Sequence, residues 1–334
     1  MPSSSPVVLV TGATGTQGGG VVRELLKRAK STTPPTSLTI HAYVRDPTSA
    51  ASKALVDLDS TAVKLFQGDF DDLDALTKAA NGATATFINV TPIFTDLEAE
   101  SRHGHKILQA SLAAGVKHVI YSAVNRADKR ESLKNIQPGS WIDTYYKSKG
   151  GIIASLKAPP FPTPPDYTYT LILPATFLSN YHPPHQAMMY PNLSAENPTI
   201  TTAINPNQVS SHLDPDDIGR FAAHAILAAP AEFAEKWANK TIPLASIDLT
   251  LQEVIDALTR SVSNRKTVTI NWLSPEEAQE KAATDPFIAS HIFLNENPNI
   301  VDLEQVRSYG IPLGGVDEYF TKNREKVEKG LGLS

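Results

Sequence analysis

Residues 7–22 read VVLVTGATGTQGGGVV, and the fold turns on them. Val7, Val8, Leu9 and Val10 form an apolar run of strand length, ended by Thr11. Gly12-x-x-Gly15-x-x-Gly18 follows at once, and Val21, Val22, Leu25 and Leu26 then recur at helical spacing. Strand, glycine turn and helix start together make a phosphate cradle. Glycines let the backbone turn sharply and approach a pyrophosphate, while the helix start offers free N–H groups and the positive end of its dipole. A glycine triplet alone is a weak signal; a strand before it and a helix after it strengthen it. Gly12, Thr14, Gly15, Thr16, Gln17 and Gly18 are therefore the candidate phosphate-binding set.

Outward from this turn, strand and helix signals alternate. Apolar, β-branched runs at 38–44, 62–66, 85–90, 116–122 and 167–173 predict five further strands. Helical spacing at Leu73, Leu76 and Ala80, over 96–114 and over 140–156 predicts the helices between them. Alternation at this spacing implies a parallel sheet covered on both faces, and right-handed crossovers give the doubly wound dinucleotide-binding (Rossmann) order. Beyond the proline-dense stretch 158–166 the pattern loosens. Helices are predicted at 218–227, at 251–262 capped by Thr250, at 275–282 after Ser274, and as one terminal amphipathic helix over 316–329. A strand is predicted at 268–272. The expected division is a nucleotide-binding domain over 1–175 and a smaller α/β substrate-binding part over 176–334, interleaved with the sheet and walling a cleft at the strand ends.

Bulk properties exclude several classes. The chain has 334 residues, 41% hydrophobic, with net charge −5, and its Lys and Arg are scattered, so no nucleic-acid or anionic-membrane surface is expected. No cysteine is present, which removes disulfides, thiolate metal sites and cysteine nucleophiles together. His182 and His185 lack a carboxylate at ligand spacing, and no metal site is expected. His103-Gly104-His105 is expected to face solvent at a helix start. The start Met-Pro-Ser-Ser-Ser-Pro has no charged n-region and no stretch is long enough to span a bilayer, which predicts a cytoplasmic protein.

The second strand ends Tyr43-Val44-Arg45, where an acidic side chain would select NAD and a basic one the 2′-phosphate of NADP. Asp46 precedes Pro47 and reads as a turn residue, leaving Arg45 as the phosphate-gripping group and NADP(H) as the expected cofactor. Asp69 is placed to accept from the adenine amino group, with Phe70 beside the ring; a helix-capping role for Asp69 is compatible with this. Asn89, Val90 and Thr91 follow the fourth strand, where backbone groups would line the cofactor ribose, and Pro174 closes the sixth.

Ser122 ends the fifth strand, and Tyr145 and Lys149 stand four apart on the next helix, hence on one face. A lysine ammonium beside a phenol is expected to lower the phenol's pKa; such a tyrosine can give a proton to a carbonyl oxygen as hydride reaches carbon, with Ser122 bonded to the same oxygen. Lys149 can also bind the nicotinamide ribose. The bland alternative is a surface helix whose tyrosine packs on the sheet edge. Phe94, Phe177, Tyr181, His182 and Met189 are the candidate walls of a pocket for a flat apolar substrate, each of them equally at home in a core.

Together, TGATGTQGG, Arg45-Asp46-Pro47, Gln67-Gly68-Asp69, Gly115-Val116-Lys117-His118 before Tyr121-Ser122, and Asp214-Pro-x-Asp217-Ile218-Gly219 resemble the NmrA-like branch of the atypical short-chain dehydrogenase/reductases over nearly the whole chain. That resemblance implies either an NADPH-dependent reductase of phenolic, isoflavone-like or quinone substrates or an NADP-binding redox sensor acting through a protein partner. It places the glycine-loop role on Gly12, Gly15 and Gly18, phosphate selection on Arg45 and the family lysine on Lys149. Many members lack the tyrosine, so Tyr145 departs from that pattern and tilts the expectation toward catalysis. The expected activity is NADPH-dependent reduction of a carbonyl, enone or quinone in a small aromatic molecule; an epimerase or dehydratase on the same scaffold is disfavoured by the absence of a sugar-nucleotide site.

Overall fold

Val7–Val10 pairs on both sides with parallel neighbours, as an inner strand of a seven-stranded sheet. The structure, a computed structural model, describes residues 5–93 and 95–333. The strands β1 (Val7–Val10), β2 (Thr39–Val44), β3 (Val63–Gln67), β4 (Ala85–Ile88), β5 (His118–Ser122) and β6 (Thr168–Pro174) are separated by helices α1 (Thr16–Ser31), α2 (Ala50–Leu58), α3 (Leu73–Ala80), α4 (Ala99–Ala113) and α5 (Trp141–Lys157). Across the sheet the order is Lys240–Leu244, β6, β5, β4, β1, β2, β3. Val8 faces Ile40 on one side and Ala85 on the other, so the order reverses between β1 and β4. This is the doubly wound arrangement, and the reversal is where such sheets bind ligands. β4 and β5 are buried throughout, as central parallel strands covered on both faces must be.

The chain forms two compact units. The first comprises Met1–Arg130, Thr144–Leu173 and Pro215–Pro243; the second comprises Glu131–Asp143, Pro174–Asp214 and Leu244–Ser334.

Within the first unit, α1 packs against the helix Asp216–Ile226 at backbone contact. A Cβ on Gly219 would lie 2.6 Å from the carbonyl carbon and oxygen of Gly20. Arg23 Nη2 reaches Asp216 Oδ1 at 2.9 Å beside this contact. A second close approach joins α4 to α5, where a Cβ on Gly104 would meet Ile152 Cδ1 at 2.4 Å. Here the sequence expectation is corrected. His103-Gly104-His105 lies inside α4 with His103 buried, and His105 Nε2 bonds Ser155 Oγ on α5 at 2.8 Å. The stretch is a helix-packing surface because the missing glycine side chain admits Ile152.

The second unit holds a core of its own, with Leu178, Leu193, Ile200, Val254, Leu258 and Phe320 buried together. Two short sheets accompany it, Ile247–Leu249 with Ser210–Leu213 and Thr176–Phe177, and Thr269–Trp272 with Thr199–Thr202. Thr250 with Glu253 and Ser274 with Glu277 form capping boxes at the helices Leu251–Ser261 and Pro275–Ala282. The single terminal helix predicted over 316–329 is two, Val316–Lys322 and Arg324–Gly330. Asn323 leaves helical geometry between them, and its side-chain amide donates to the Tyr319 carbonyl at 3.0 Å. Among the described residues, no helix is long and apolar enough to cross a membrane.

Candidate functional site

The glycine turn between β1 and α1 is sterically required. Gly12 takes φ +62°, where side chains are disfavoured, and a Cβ on Gly18 would lie 2.3 Å from the Gly12 carbonyl oxygen. A Cβ on Gly12 would also meet Asn89 Nδ2 at 3.1 Å, which places the residue after β4 against the turn. Thr11 fixes the base of the loop: its hydroxyl donates to the Phe87 carbonyl at 3.0 Å and accepts from the Asn89 N–H at 2.9 Å. Gly15 is the N-cap of α1, with no side-chain cap and no acidic residue in the first turn. The first-turn N–H groups thus lack the usual side-chain acceptor, and the positive end of the helix dipole is unopposed. Thr14, Gly15 and Thr16 are exposed there, and the buried Gln17 Oε1 has no hydrogen-bond partner. Backbone close enough to exclude a Cβ, open donors and no competing anion fit a pyrophosphate.

Arg45 follows β2, exposed, its guanidinium without a partner among the described residues. The Asp46 carboxylate accepts from the Thr48 N–H and hydroxyl at 2.8 and 2.7 Å, and these bonds hold it below the usual carboxylate range. It is the turn residue its sequence context suggests. Asp69 Oδ1 accepts from the N–H groups of Asp71 and Asp72, closing the turn after β3, while the cap of α3 proper is Asp72. The Phe70 ring stacks on Tyr43 at 5.8 Å, and the Tyr43 hydroxyl donates to the Asp69 carbonyl at 2.7 Å. Asn89, Val90 and Thr91 follow β4, with Val90 buried and Thr91 exposed. Pro174 is the last residue of β6.

On α5, Lys149 and Tyr145 come together as their spacing predicts, but not in the predicted manner. The Lys149 ammonium lies over the Tyr145 ring, 5.0 Å from its centroid, and bonds Glu100 Oε1 on α4 at 2.6 Å. Both charged side chains are buried, Lys149 at 5% exposure and Glu100 at 1%. The expected lowering of the Tyr145 pKa is corrected: desolvation first and the Glu100 carboxylate second push that phenol well above its ordinary value. The lysine charge that would have favoured a phenolate is matched by a carboxylate the sequence reading did not include. Burial alone would discharge Lys149, yet Tyr121 and Glu100 outweigh it and hold its pKa above the ordinary lysine value. Tyr121, fully buried on β5, has its own phenol raised by burial, with Lys149 opposing. Ser122 Oγ is buried with no hydrogen-bond partner, and it is its neighbour Tyr121 that faces Lys149.

Of the candidate substrate residues, Phe94 lies outside the described residues. Phe177 sits in the short strand Thr176–Phe177. Tyr181 and His182 are buried in the second unit. Tyr181 stacks on Tyr190 with ring centroids 5.3 Å apart, and His182 Nε2 bonds the Tyr319 hydroxyl at 2.7 Å. Burial lowers the His182 pKa, so the ring is a neutral packing partner. Met189 packs on the same core and lines a cavity of about 210 Å³ with Asn192, Thr199, Lys281, Phe287 and His291. No cluster of three or more metal-ligating side chains occurs among the described residues.

A family model described as the NmrA-like family matches residues 4–311. Among curated proteins, an NmrA-like family domain-containing oxidoreductase of Penicillium ochrochloron, ptmS, is 33% identical over 159 residues, 45% of this chain and 45% of that one. The chain thus spans less than half the length of that relative. An NmrA-like family domain-containing protein of Dictyostelium discoideum is 27% identical over 276 residues, 82% of each chain. Among solved structures, an NADPH-dependent quinone oxidoreductase of Escherichia coli complexed with NADPH superposes with TM-score 0.68 at 21% identity, covering 95% of this chain and 99% of that one. NmrA, a negative transcriptional regulator in complex with NAD, gives TM-score 0.63 at 18% identity, covering 98% and 95%. Both structures share the fold described above.

Proposed function

The chain belongs to the NmrA-like family, and from that premise we propose that it is an NADPH-dependent reductase of a carbonyl, enone or quinone carried by a small aromatic molecule. The observation that carries this reading is the buried Lys149 ammonium on the face of Tyr145, on the helix after β5, while the uncapped, glycine-built phosphate turn follows β1 two places along the same sheet. The first-turn N–H groups of α1 with Gly12, Gly15 and Gly18 would hold the pyrophosphate, and Arg45 the 2′-phosphate. A bound nicotinamide dinucleotide supplies the hydride.

The residues of the chain do the rest. Tyr145 keeps its proton throughout the physiological range, because its phenol pKa is raised. Its hydroxyl donates a hydrogen bond to the substrate oxygen. As the new C–H bond forms, the carbonyl π pair moves onto that oxygen, which then takes the Tyr145 proton; an alkoxide is basic enough to remove it even from a weakly acidic phenol. The phenolate left behind is stabilised by the Lys149 ammonium and recovers its proton from solvent. The names of the oxidoreductase relative and of the quinone oxidoreductase structure support this chemistry.

The test is a fluorescence titration with NADPH and NADH, followed by a screen of quinones, enones and ketones for NADPH loss. Turnover of one class, abolished in Tyr145→Phe with NADPH binding retained, is the expected result. Unchanged turnover in that variant removes Tyr145 as the acid. Full NADPH occupancy with no turnover on any class points instead to an NADP(H) sensor.

A further inference from the structure

The mechanism above gives no role to the buried carboxylate paired with Lys149. Glu100 sits on α4 at 1% exposure, with Oε1 on Lys149 and Oε2 without any hydrogen-bond partner. A buried carboxylate is costly to desolvate, and a pair of buried charges is often no more stable than an apolar pair of the same volume. Its place is set by packing. Gly104 lies one helical turn beyond Glu100 and Ile152 three residues beyond Lys149, and a Cβ on Gly104 would sit 2.4 Å from Ile152 Cδ1. The glycine contact that draws α4 against α5 therefore also brings the carboxylate to the ammonium. Three groups face the Lys149 amine: Glu100 from α4, Tyr121 from β5 and Tyr145 from its own helix.

We propose that Glu100 is the positioning residue of the reaction centre, holding Lys149 as a correctly aimed ammonium over the Tyr145 ring. This deepens the reductase reading and rests on it. Burial disfavours the charged form of Lys149, and the phenols of Tyr121 and Tyr145 are both raised, so neither carries a charge at neutral pH to offset it. Glu100 supplies the only full negative charge among the three facing groups. It keeps the ammonium in place across neutral pH and, by balancing it, leaves Tyr145 a neutral hydroxyl donor instead of a phenolate in the resting protein. Lys149 then has uncompensated work to do only when a negative charge develops on Tyr145 during turnover.

The experiment follows the Lys149 amine by 15N NMR of lysine-labelled, full-length protein through a pH titration, with and without NADPH. In the wild type the signal stays that of an ammonium beyond pH 9. In Glu100→Gln it titrates at least two pH units lower, whereas Glu100→Asp, shorter but charged, keeps the wild-type titration. For any substrate turned over, kcat is flat from pH 6 to 9 in the wild type and falls tenfold per pH unit on the alkaline side in E100Q. An E100Q signal that titrates with the wild type overturns the proposal. If E100Q does not fold, the double variant E100Q with K149M decides: recovery of folding supports charge compensation, and equal loss overturns it. The NMR titration needs no substrate, so absence of turnover would count against the reductase reading while leaving Glu100 to be judged on its own.

Discussion

At the scale of single residues, the tight glycine turn and the turn role of Asp46 were legible because they depend on local order along the chain. Arg45 and Asp46 directly follow β2, and the Asp46 carboxylate is occupied by Thr48, which leaves the arginine as the group free to meet an anion. Arg45→Ala is expected to weaken NADPH by roughly 10- to 100-fold, the value of about 1.5–3 kcal/mol for a hydrogen bond to a charged group, and to leave NADH within about twofold. Paired titrations of both nucleotides check it, and equal loss for both would remove Arg45 as the selector. Glu100 was not legible. It stands 49 residues from Lys149, and nothing in the local pattern of α4 separates it from a solvated helix glutamate. Only the packing of α4 on α5 reveals the pair. Tyr181 and His182 were ambiguous for the complementary reason: an aromatic stretch reads alike whether it lines a pocket or fills a core, and here Tyr181 stacks on Tyr190 while His182 bonds the Tyr319 hydroxyl.

At the scale of elements, two glycines mark contacts where backbone meets backbone. Gly18→Ala sets a Cβ 2.3 Å from the Gly12 carbonyl oxygen, and neither partner is a flexible side-chain end. The turn must shift, so NADPH binding is expected to fall by at least tenfold, with stability lowered by about 1–3 kcal/mol as for other overpacked sites. Gly219→Ala drives the helix Asp216–Ile226 off α1, where 2.6 Å separates the new atom from Gly20. Its expected cost is similar, about 1–3 kcal/mol by chemical denaturation, with nucleotide affinity changed less than in Gly18→Ala. A Gly219→Ala protein as stable as the wild type would show that the two helices can separate without loss. Element type was legible wherever the pattern was strong. Thr250 and Ser274 signal their helices through capping boxes formed inside four residues. The break at Asn323 was hidden, since the apolar spacing runs through it and only the backbone geometry departs.

At the scale of the whole molecule, three buried histidines give the fold a pH dependence. Burial pushes His118 down to about 3 and His212 and His291 to about 4, from an ordinary 6.5. Above pH 6.5 all three are neutral folded or unfolded and contribute no slope. Below it the unfolded chain binds protons that the folded chain refuses, so stability falls as pH drops from 6.5 toward 4, by up to about 1.4 kcal/mol per pH unit per histidine. Thermal melting across pH 7.5 to 4.5 should show the decline, and a flat melting temperature would contradict it. The sheet order itself was readable from strand–helix alternation. The return of residues 215–243 to the first unit was not, because it is settled by contacts far apart in the chain: Gly219 on Gly20, Asp216 on Arg23 and Lys240–Leu244 beside β6. That return has a consequence for biosynthesis. The nucleotide-binding half cannot close while the polypeptide is still short on the ribosome, since its last helix and edge strand wait until residue 243 has emerged. Until then α1 shows an uncovered glycine face to chaperones, and a fragment ended at residue 175 keeps that face for good.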